Sequence, residues 1–487
     1  MARRLPNLDS VTTIAEDVSR NFLHPADVRG NFTRARQLFA LVLVAVYFSL
    51  PFIPVKGNPA VFLDVLNGRF HLFGLTFASQ DFFLTFFVIS GVGFSLFFIT
   101  ALFGRLWCGW ACPHSVFLEQ VFRRLERLFE GSALHQKKLD SMAWTRPEKL
   151  LRRGGKLVVF LFLASIIAHF FLAYFISIPQ LWSWMGQGPL AHPQAFAFIT
   201  VATGLIWFNF SWFREQLCVI ICPYGRLQSA LIDDDTMVIG YDEIRGEPRG
   251  KPKKNDDTVG DCINCYRCVQ VCPTGIDIRQ GLQIECIGCA NCIDACNEVM
   301  DGLGRERGLV RYDSLNGLRG EKRRFFRPRL LVYCFLLFLG VAAFSIAFST
   351  IRPLNLEAIR MRGRPYYLMD DGTIRNQYQI RVINKQQVPV LLQIDLQSPE
   401  EQLDAAGFVG SLELNPGSET VRTLVATLPP EAWETPFEIT VEVDGSTEAG
   451  KTFTMAQSVE FVGPDPALLR DKMAGDSTSG QDLEATP

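Results

Sequence analysis

The run Cys262-Ile-Asn-Cys265-Tyr-Arg-Cys268-Val-Gln-Val-Cys272-Pro273 is answered a few residues later by Cys286-Ile-Gly-Cys289-Ala-Asn-Cys292-Ile-Asp-Ala-Cys296. Eight of the chain's 13 cysteines fall in these two runs. Each reads C-x2-C-x2-C-x3-C. This is the bacterial spacing for paired [4Fe–4S] clusters, in which three thiolates wrap one cube and the fourth crosses to the other. The spacing assigns Cys262, Cys265, Cys268 and Cys296 to one cluster, and Cys286, Cys289, Cys292 and Cys272 to the second. Pro273 fits the pattern, and Asn297 stands where a second proline is expected. Structural zinc takes two C-x2-C pairs and leaves the third cysteine of each run unexplained. Disulfides do not persist in a reducing compartment, which is where the charge pattern places this segment. Two adjacent clusters on one module form a path for single electrons.

Outward from the module the chain turns apolar. Its 487 residues are 48% hydrophobic and include 40 Phe, the composition of a membrane protein. Five apolar stretches stand out: Leu38–Ile53, Phe82–Phe103, Leu157–Ile178, Ala195–Phe213 and Leu330–Ile351. About 20 apolar residues cross a hydrocarbon core as a helix. The last four qualify by length, and the first is short and ends among Pro51 and Pro54. Residues 1–37 hold acids, a proline and six arginines, with no apolar core before a cleavage site. They read as a retained cytoplasmic arm.

Lys and Arg orient the spans. The arm 1–37 has six, the loop 54–80 two, the segment 104–156 eleven, the loop 179–194 none and the segment 214–329 eighteen. Basic-rich and basic-poor segments alternate throughout. The arm, 104–156 and the cluster module are therefore expected in the cytoplasm of a bacterial cell, and 352–487 across the inner membrane in the periplasm. That last segment has 11 basic and 21 acidic residues. The basic run from Arg305 to Arg329, just before the fifth span, is expected to meet lipid headgroups. No nucleic-acid-binding fold accompanies it.

Two further cysteine pairs form an internal repeat. Arg105-Leu-Trp-Cys108-Gly-Trp-Ala-Cys112-Pro113-His114 follows the second apolar stretch, and Arg214-Glu-Gln-Leu-Cys218-Val-Ile-Ile-Cys222-Pro223 follows the fourth. On a helix, residues i and i+4 share a face, so each C-x3-C-P could offer two sulfurs to one ligand and the two hairpins could bring four together. Soft thiolates favour Cu(I), zinc or iron–sulfur iron; buried packing is the plain alternative. A dithiol relay ranks lower, because the spacing is not C-x-x-C. His114 reads as an exposed interfacial residue. His169, inside an apolar stretch, is either functional or bonded to a neighbouring helix. Cys334 has no sequence partner.

Repeated hairpins with C-x3-C-P, followed by a double-cluster insert, resemble the NapH-type polyferredoxin membrane proteins. The linker Gly240-Tyr241-Asp242-Glu243-Ile244-Arg245-Gly246-Glu247-Pro248-Arg249-Gly250-Lys251 is similar to the signature of the CcoG family, also called FixG or RdxA. The resemblance runs from the N-terminal arm to about residue 465. It implies an accessory factor of a cbb-type cytochrome c oxidase that reduces Cu(II) to Cu(I). Its site residues would be the eight cluster cysteines together with Cys108, Cys112, Cys218 and Cys222 as catalytic copper ligands. Implied partners are oxidase assembly factors or a copper chaperone or transporter, a cytoplasmic electron donor, membrane lipid and a second copy of the chain. Copper itself comes from the resemblance; the residues alone show an electron path beside soft ligands.

Beyond the fifth stretch, alternating apolar runs recur at Thr373–Ile383, Val388–Leu396, Phe408–Leu414, Thr420–Thr427, Phe437–Val443 and Thr452–Phe461. Turn residues separate them, as in a β-sandwich; the family implies an immunoglobulin-like one. The expected architecture is thus a multi-domain membrane protein in six parts: an arm at 1–37, two spanning hairpins at 38–231, an α+β ferredoxin-type module at 232–329, a fifth helix at 330–351, an all-β sandwich at 355–463 and a disordered tail at 464–487. Two other functions stay open, a quinol dehydrogenase of the NapH kind and a non-enzymatic redox sensor or assembly scaffold. C-x-x-C-H for c-type haem and a full G-x-G-x-x-G are both missing from the sequence.

Overall fold

The computed structural model describes residues 20, 22–55, 57–65, 68–78, 81, 83–250, 259–324, 326–349, 354–386, 388–407, 410–447, 452–467 and 469. Most of the expected tail and much of the N-terminal arm lie outside the described residues. The chain divides into two compact units, one holding the long helices and the cysteine module and the other the C-terminal sheets.

Among the described residues, five helices are long and apolar enough to cross a membrane: Asn31–Phe52, Phe83–Phe103, Pro147–Leu172, Pro193–Phe213 and Pro328–Ser349. The short first stretch becomes a full span because its helix starts upstream of the apolar run, at Asn31. Asp294 anchors that start from far along the chain, accepting from the Thr33 amide and hydroxyl at 2.7 Å each. Pro147 and Pro193 open their helices at the first turn, where the missing N–H costs nothing. Large side chains such as Phe86, Ile89, Phe162 and Phe338 stay exposed, as in helices that face lipid. Within the fold, Phe122 stacks on Phe210 at 4.2 Å and meets Phe160 edge-on at 4.9 Å, joining the two hairpins.

The second unit is the expected sandwich. Strand Ile374–Asn384 pairs antiparallel with Glu419–Leu428 and Leu354–Arg360, and Asp404–Gly407 extends that sheet. The facing sheet runs Gly410–Leu414, Val390–Gln397, Phe437–Thr447, Thr452–Phe461. Alternation does the work: Tyr378, Ile380 and Val382 bury against Leu392, Ile394, Val441 and Val443. Leu354–Arg360 and Asp404–Gly407 escape a pattern-based reading; the first is buried on both faces over its opening residues, and the second is a short, mostly exposed edge. Residues 64–82, between the first two spans, belong to this unit too. Arg69 donates to the Gly417 carbonyl at 2.8 Å, and Lys385 pairs with Asp81 at 2.5 Å.

Candidate functional site: three cysteine quartets

The two cysteine runs fold as near copies. In each, the residues flanking the middle cysteine have positive φ: Asn264 (59°) and Tyr266 (57°) around Cys265, Gly288 (69°) and Ala290 (64°) around Cys289. Left-handed residues set among ordinary ones turn successive N–H groups inward, a concavity that suits an anionic cluster. Such a conformation costs a non-glycine residue about 1–2 kcal/mol, so it is held from outside. Arg279 does this for the first run, donating to Asn264 Oδ1 at 2.6 Å and lying 4.1 Å over the Tyr266 ring. Asn297, in the expected proline position, accepts from the Gly308 amide at 3.0 Å.

Cys262, Cys265, Cys268 and Cys296 line one cavity; Cys272, Cys286, Cys289 and Cys292 line the next, with Cys268 touching both. Burial pushes the Cys268 thiol up to about 12 against the pull of Arg279, with Cys296 and Cys265 adding to it. Thiols gathered and buried in this way would release their protons to solvent on binding iron, whose charge would offset the desolvation. The residues therefore fit two [4Fe–4S] clusters. Cys265 is the exposed member of the first set, beside buried Cys262 and Cys268, whereas in the second set Cys289 is buried and the other three are part-buried. Replacing Cys265 by serine should leave about half the iron, since each cube needs its own four thiolates. Iron and sulfide analysis of the anaerobically purified variant checks this, and full retention contradicts the ligand sets.

Both C-x3-C-P motifs are breaks in the helical path. Cys108 lies in the helix Leu106–Trp110, and Cys218 in the π-turn Leu217–Ile221. Cys112 and Cys222 instead cap the next helices, Pro113–Val116 and Pro223–Leu231. The expectation of one helix face per pair fails here. Proline drives the residue before it out of the helical region and cannot continue a hydrogen-bond ladder. The four thiols are nonetheless near enough to feel one another's charge. Cys112, Cys108 and Cys222 each add to the upward push that burial gives the Cys218 thiol. Burial raises Cys108 to about 11, and its Sγ contacts Gln228 Oε1 at 3.3 Å. Among the described residues, no three His, Cys, Asp or Glu side chains converge as a single metal ion requires. That holds for the ferredoxin quartets as well, which surround a cube rather than a point.

This third quartet abuts the second cluster set, backbone against backbone. A Cβ on Gly109 would lie 2.6 Å from the Ile287 carbonyl oxygen and 2.9 Å from the Cys289 backbone. Trp110 Nε1 donates to the Tyr312 hydroxyl at 3.3 Å, which donates to the Gly288 carbonyl at 2.6 Å. Arg105 donates to the carbonyls of Ile284 and Gly225, tying the first motif to the cluster loop and to the second motif. A motif search centred on cysteine passes over Arg105. The available signal was its place at the head of the first repeat, matching Arg214 at the head of the second.

Arg214 has φ 50° and is 2% exposed. It donates to Glu126 at 2.5 Å, and Glu126 also holds Lys156 at 3.0 Å. Burial alone would raise Glu126, but Arg214 and Lys156 outweigh it and hold the carboxyl well below the usual range. His114 is not the exposed residue expected. Its Nε2 donates to the Arg214 carbonyl at 3.0 Å, Asn209 Nδ2 donates to its Nδ1 at 3.2 Å, and its ring stacks on Phe210. Burial pushes it down to about 4, so it is a neutral clamp between the hairpins with no nitrogen left for a metal. His169 bonds its own helix through the Ser165 carbonyl at 2.7 Å. Cys334 is exposed on the last long helix. The basic run before that helix is partly consumed internally: Arg327 pairs with Asp233, and Arg311 with Asp242 and Asp313.

Five membrane-length helices carrying a double-cluster module define a membrane-bound iron–sulfur electron-transfer protein, an oxidoreductase. Comparison with known proteins agrees. Residues 213–315 match the family model of the 4Fe-4S dicluster domain, 84–138 that of a 4Fe-4S binding domain, and 344–464 that of the Ig-like fold at the C-terminus of FixG. The chain is 36% identical to protein RdxA of Cereibacter sphaeroides over 75% of its length and 80% of RdxA. It is 34% identical to RdxB of the same organism, over 82% of this chain and 87% of RdxB. With the nitrogen fixation protein FixG of Rhizobium meliloti the identity is 33%, over 75% of this chain and 77% of FixG. The chain belongs to the FixG/RdxA family. A solved FixG-related protein from Vibrio parahaemolyticus aligns with 23% of the chain and 97% of its own, at 19% identity and TM-score 0.20.

Proposed function

We propose that the chain reduces Cu(II) to Cu(I) at Cys108, Cys112, Cys218 and Cys222, for assembly of a cbb-type cytochrome c oxidase. The observation that supports this reading is that the turn carrying Cys108 packs on the second cluster run, Gly109 against Ile287 and Cys289, while the four thiols of the two motifs lie near enough to influence one another's charge. Bound clusters supply single electrons, and Cu(II) needs one. The chain's own part is to present thiols that favour the reduced ion and to keep the two loops in contact through Arg105 and Tyr312. The exposed Cys265 side is where a cytoplasmic electron donor would dock. Released Cu(I) would pass to a chaperone, transporter or assembly factor on the oxidase path.

A second reading, quinol oxidation, is favoured by a mainly apolar cavity beside Cys286. Phe103, Leu106, Ile232, Ile284 and Tyr312 line it at the end of the second span. Anaerobic, prereduced protein mixed with Cu(II) and a Cu(I) chelator separates the two. Catalytic Cu(I) formation untouched by quinone-site inhibitors supports the copper reading. Inhibitor-sensitive quinol oxidation without Cu(I) formation overturns it, and stoichiometric reduction alone points to a sensor or scaffold.

The orientation proposed with this function puts the ferredoxin-type module in the cytoplasm and the sandwich in the periplasm of a bacterial inner-membrane protein. A reporter fused after Gly463 should be active only in the periplasm, and one after Gly320 only in the cytoplasm. Activity of both on one side contradicts the fifth span.

A further inference from the structure

A polar cavity of about 560 Å³ opens between the start of the helix Asn31–Ser49 and the helix Arg123–Glu130. Arg29, Arg34, Arg36, Arg124 and Arg127 line it, against two acids, Asp27 and Glu119. Both acids are already engaged, Asp27 with Arg127 and Glu119 with Arg123. Among the described residues, the side chains of Arg29, Arg34 and Arg124 have neither an ion pair nor a hydrogen bond. Arg36 is 4% exposed; it donates Nη1 to the Cys289 carbonyl at 3.3 Å and leaves its Nε without a partner. Burial, and then the charges of Arg127 and Arg36, pull the Arg124 guanidinium below its ordinary value.

Cations gathered like this repel one another unless an anion joins them. The helix end itself is not the attractor, because Asp294 already caps it. Forked guanidinium groups match the oxygens of a phosphate. We infer that this cavity binds a phosphate group, with Arg34, Arg36 and Arg124 as its ligands, carried by an anionic phospholipid or by a free phosphate compound. The setting favours the lipid. Leu38 and Leu41, one and two turns beyond Arg34 on the same helix, are 66% and 65% exposed and lie where acyl chains would run on from the headgroup. Occupancy also reaches the second cluster set, because Arg36 spans from the cavity to the Cys289 carbonyl. That extension rests on the cluster reading; the binding site does not.

The test uses full-length protein, purified anaerobically and placed in nanodiscs of phosphatidylglycerol or phosphatidylcholine, with pyrophosphate as the soluble probe. An anion bound to the folded state raises the unfolding midpoint. Phosphatidylglycerol, pyrophosphate or both should raise it in the parent and shift the reduction midpoint of one cluster. The Arg34→Gln/Arg124→Gln variant changes two exposed side chains. It should lose both responses, with anion binding weakened by roughly tenfold or more. A response to phosphatidylglycerol alone identifies a lipid source, and one to pyrophosphate in phosphatidylcholine discs a free phosphate. A thermal response with unchanged cluster potentials keeps the phosphate site and removes its link to Cys289. A parent indifferent to both anions, or a double variant that responds like the parent, overturns the site.

Discussion

In the Gly109→Val variant, Cu(II) reduction by prereduced protein should fall by roughly tenfold to a hundredfold, the scale of loss for an ångström-sized misplacement. Iron and sulfide should stay at the parent level. The reason is local. Only a residue without Cβ allows the Cys108 turn to rest on the Ile287 carbonyl, because an added carbon would approach that backbone oxygen to 2.6 Å. Neither partner can rotate away, since both are main chain. The branched side chain must lift one loop off the other and lengthen the path between the second cluster set and the thiols. None of the eight ferredoxin-type cysteines moves out of its own run. Parent-rate reduction in this variant, measured by stopped flow, would mean that electrons leave by another face.

Arg214→Ala should destabilise the helical unit by about 3–5 kcal/mol, the range for removing one partner of a buried ion pair. The side chain is buried, and its loss leaves Glu126 with Lys156 alone. Two companion variants separate charge from backbone. Glu126→Gln added to Arg214→Ala should recover part of the loss, because the orphaned charge is gone. Arg214→Gly should be milder than Arg214→Ala by about 1 kcal/mol, since φ is 50° there and glycine adopts it without strain. Thermal unfolding midpoints in one detergent check all three. Identical midpoints for parent and Arg214→Ala would show that the pair contributes nothing.

What could be read from the chain depended on how local each instruction was. The cluster cysteines were legible because a cube constrains spacing along a single run, and those of the two runs line two neighbouring cavities, with Cys268 at both. The long apolar helices were legible by length. The first was underestimated because its opening turn, from Asn31, is polar and is held by Asp294, more than 250 residues away in sequence. Six strands of the sandwich announced themselves by alternation. Leu354–Arg360 did not, because its first residues bury both faces. The C-x3-C-P repeats signalled a shared site but misled on its geometry: proline turned each presumed helix face into a break. His114 looked like a surface residue, since nothing near it in sequence reveals Asn209, Phe210 or the Arg214 carbonyl. Arg36, which joins the modules, was invisible for the same reason, and Arg105 showed only as the head of a repeat: the partners of both are backbone carbonyls far along the chain.

The most direct test of the central claim is single-turnover Cu(II) reduction by anaerobic, dithionite-reduced protein, parent against Cys112→Ser/Cys222→Ser. Cluster reoxidation is followed at visible wavelengths and Cu(I) by a chelator. Both serines lie outside the ferredoxin-type runs, so iron content and visible absorbance should match the parent. Cu(I) formation should be abolished, and Cu(I) retained by the parent against the competing chelator should be lost from the variant. If instead the double variant, with full iron, reduces Cu(II) at the parent rate, the C-x3-C-P pairs are structural and copper meets the clusters directly.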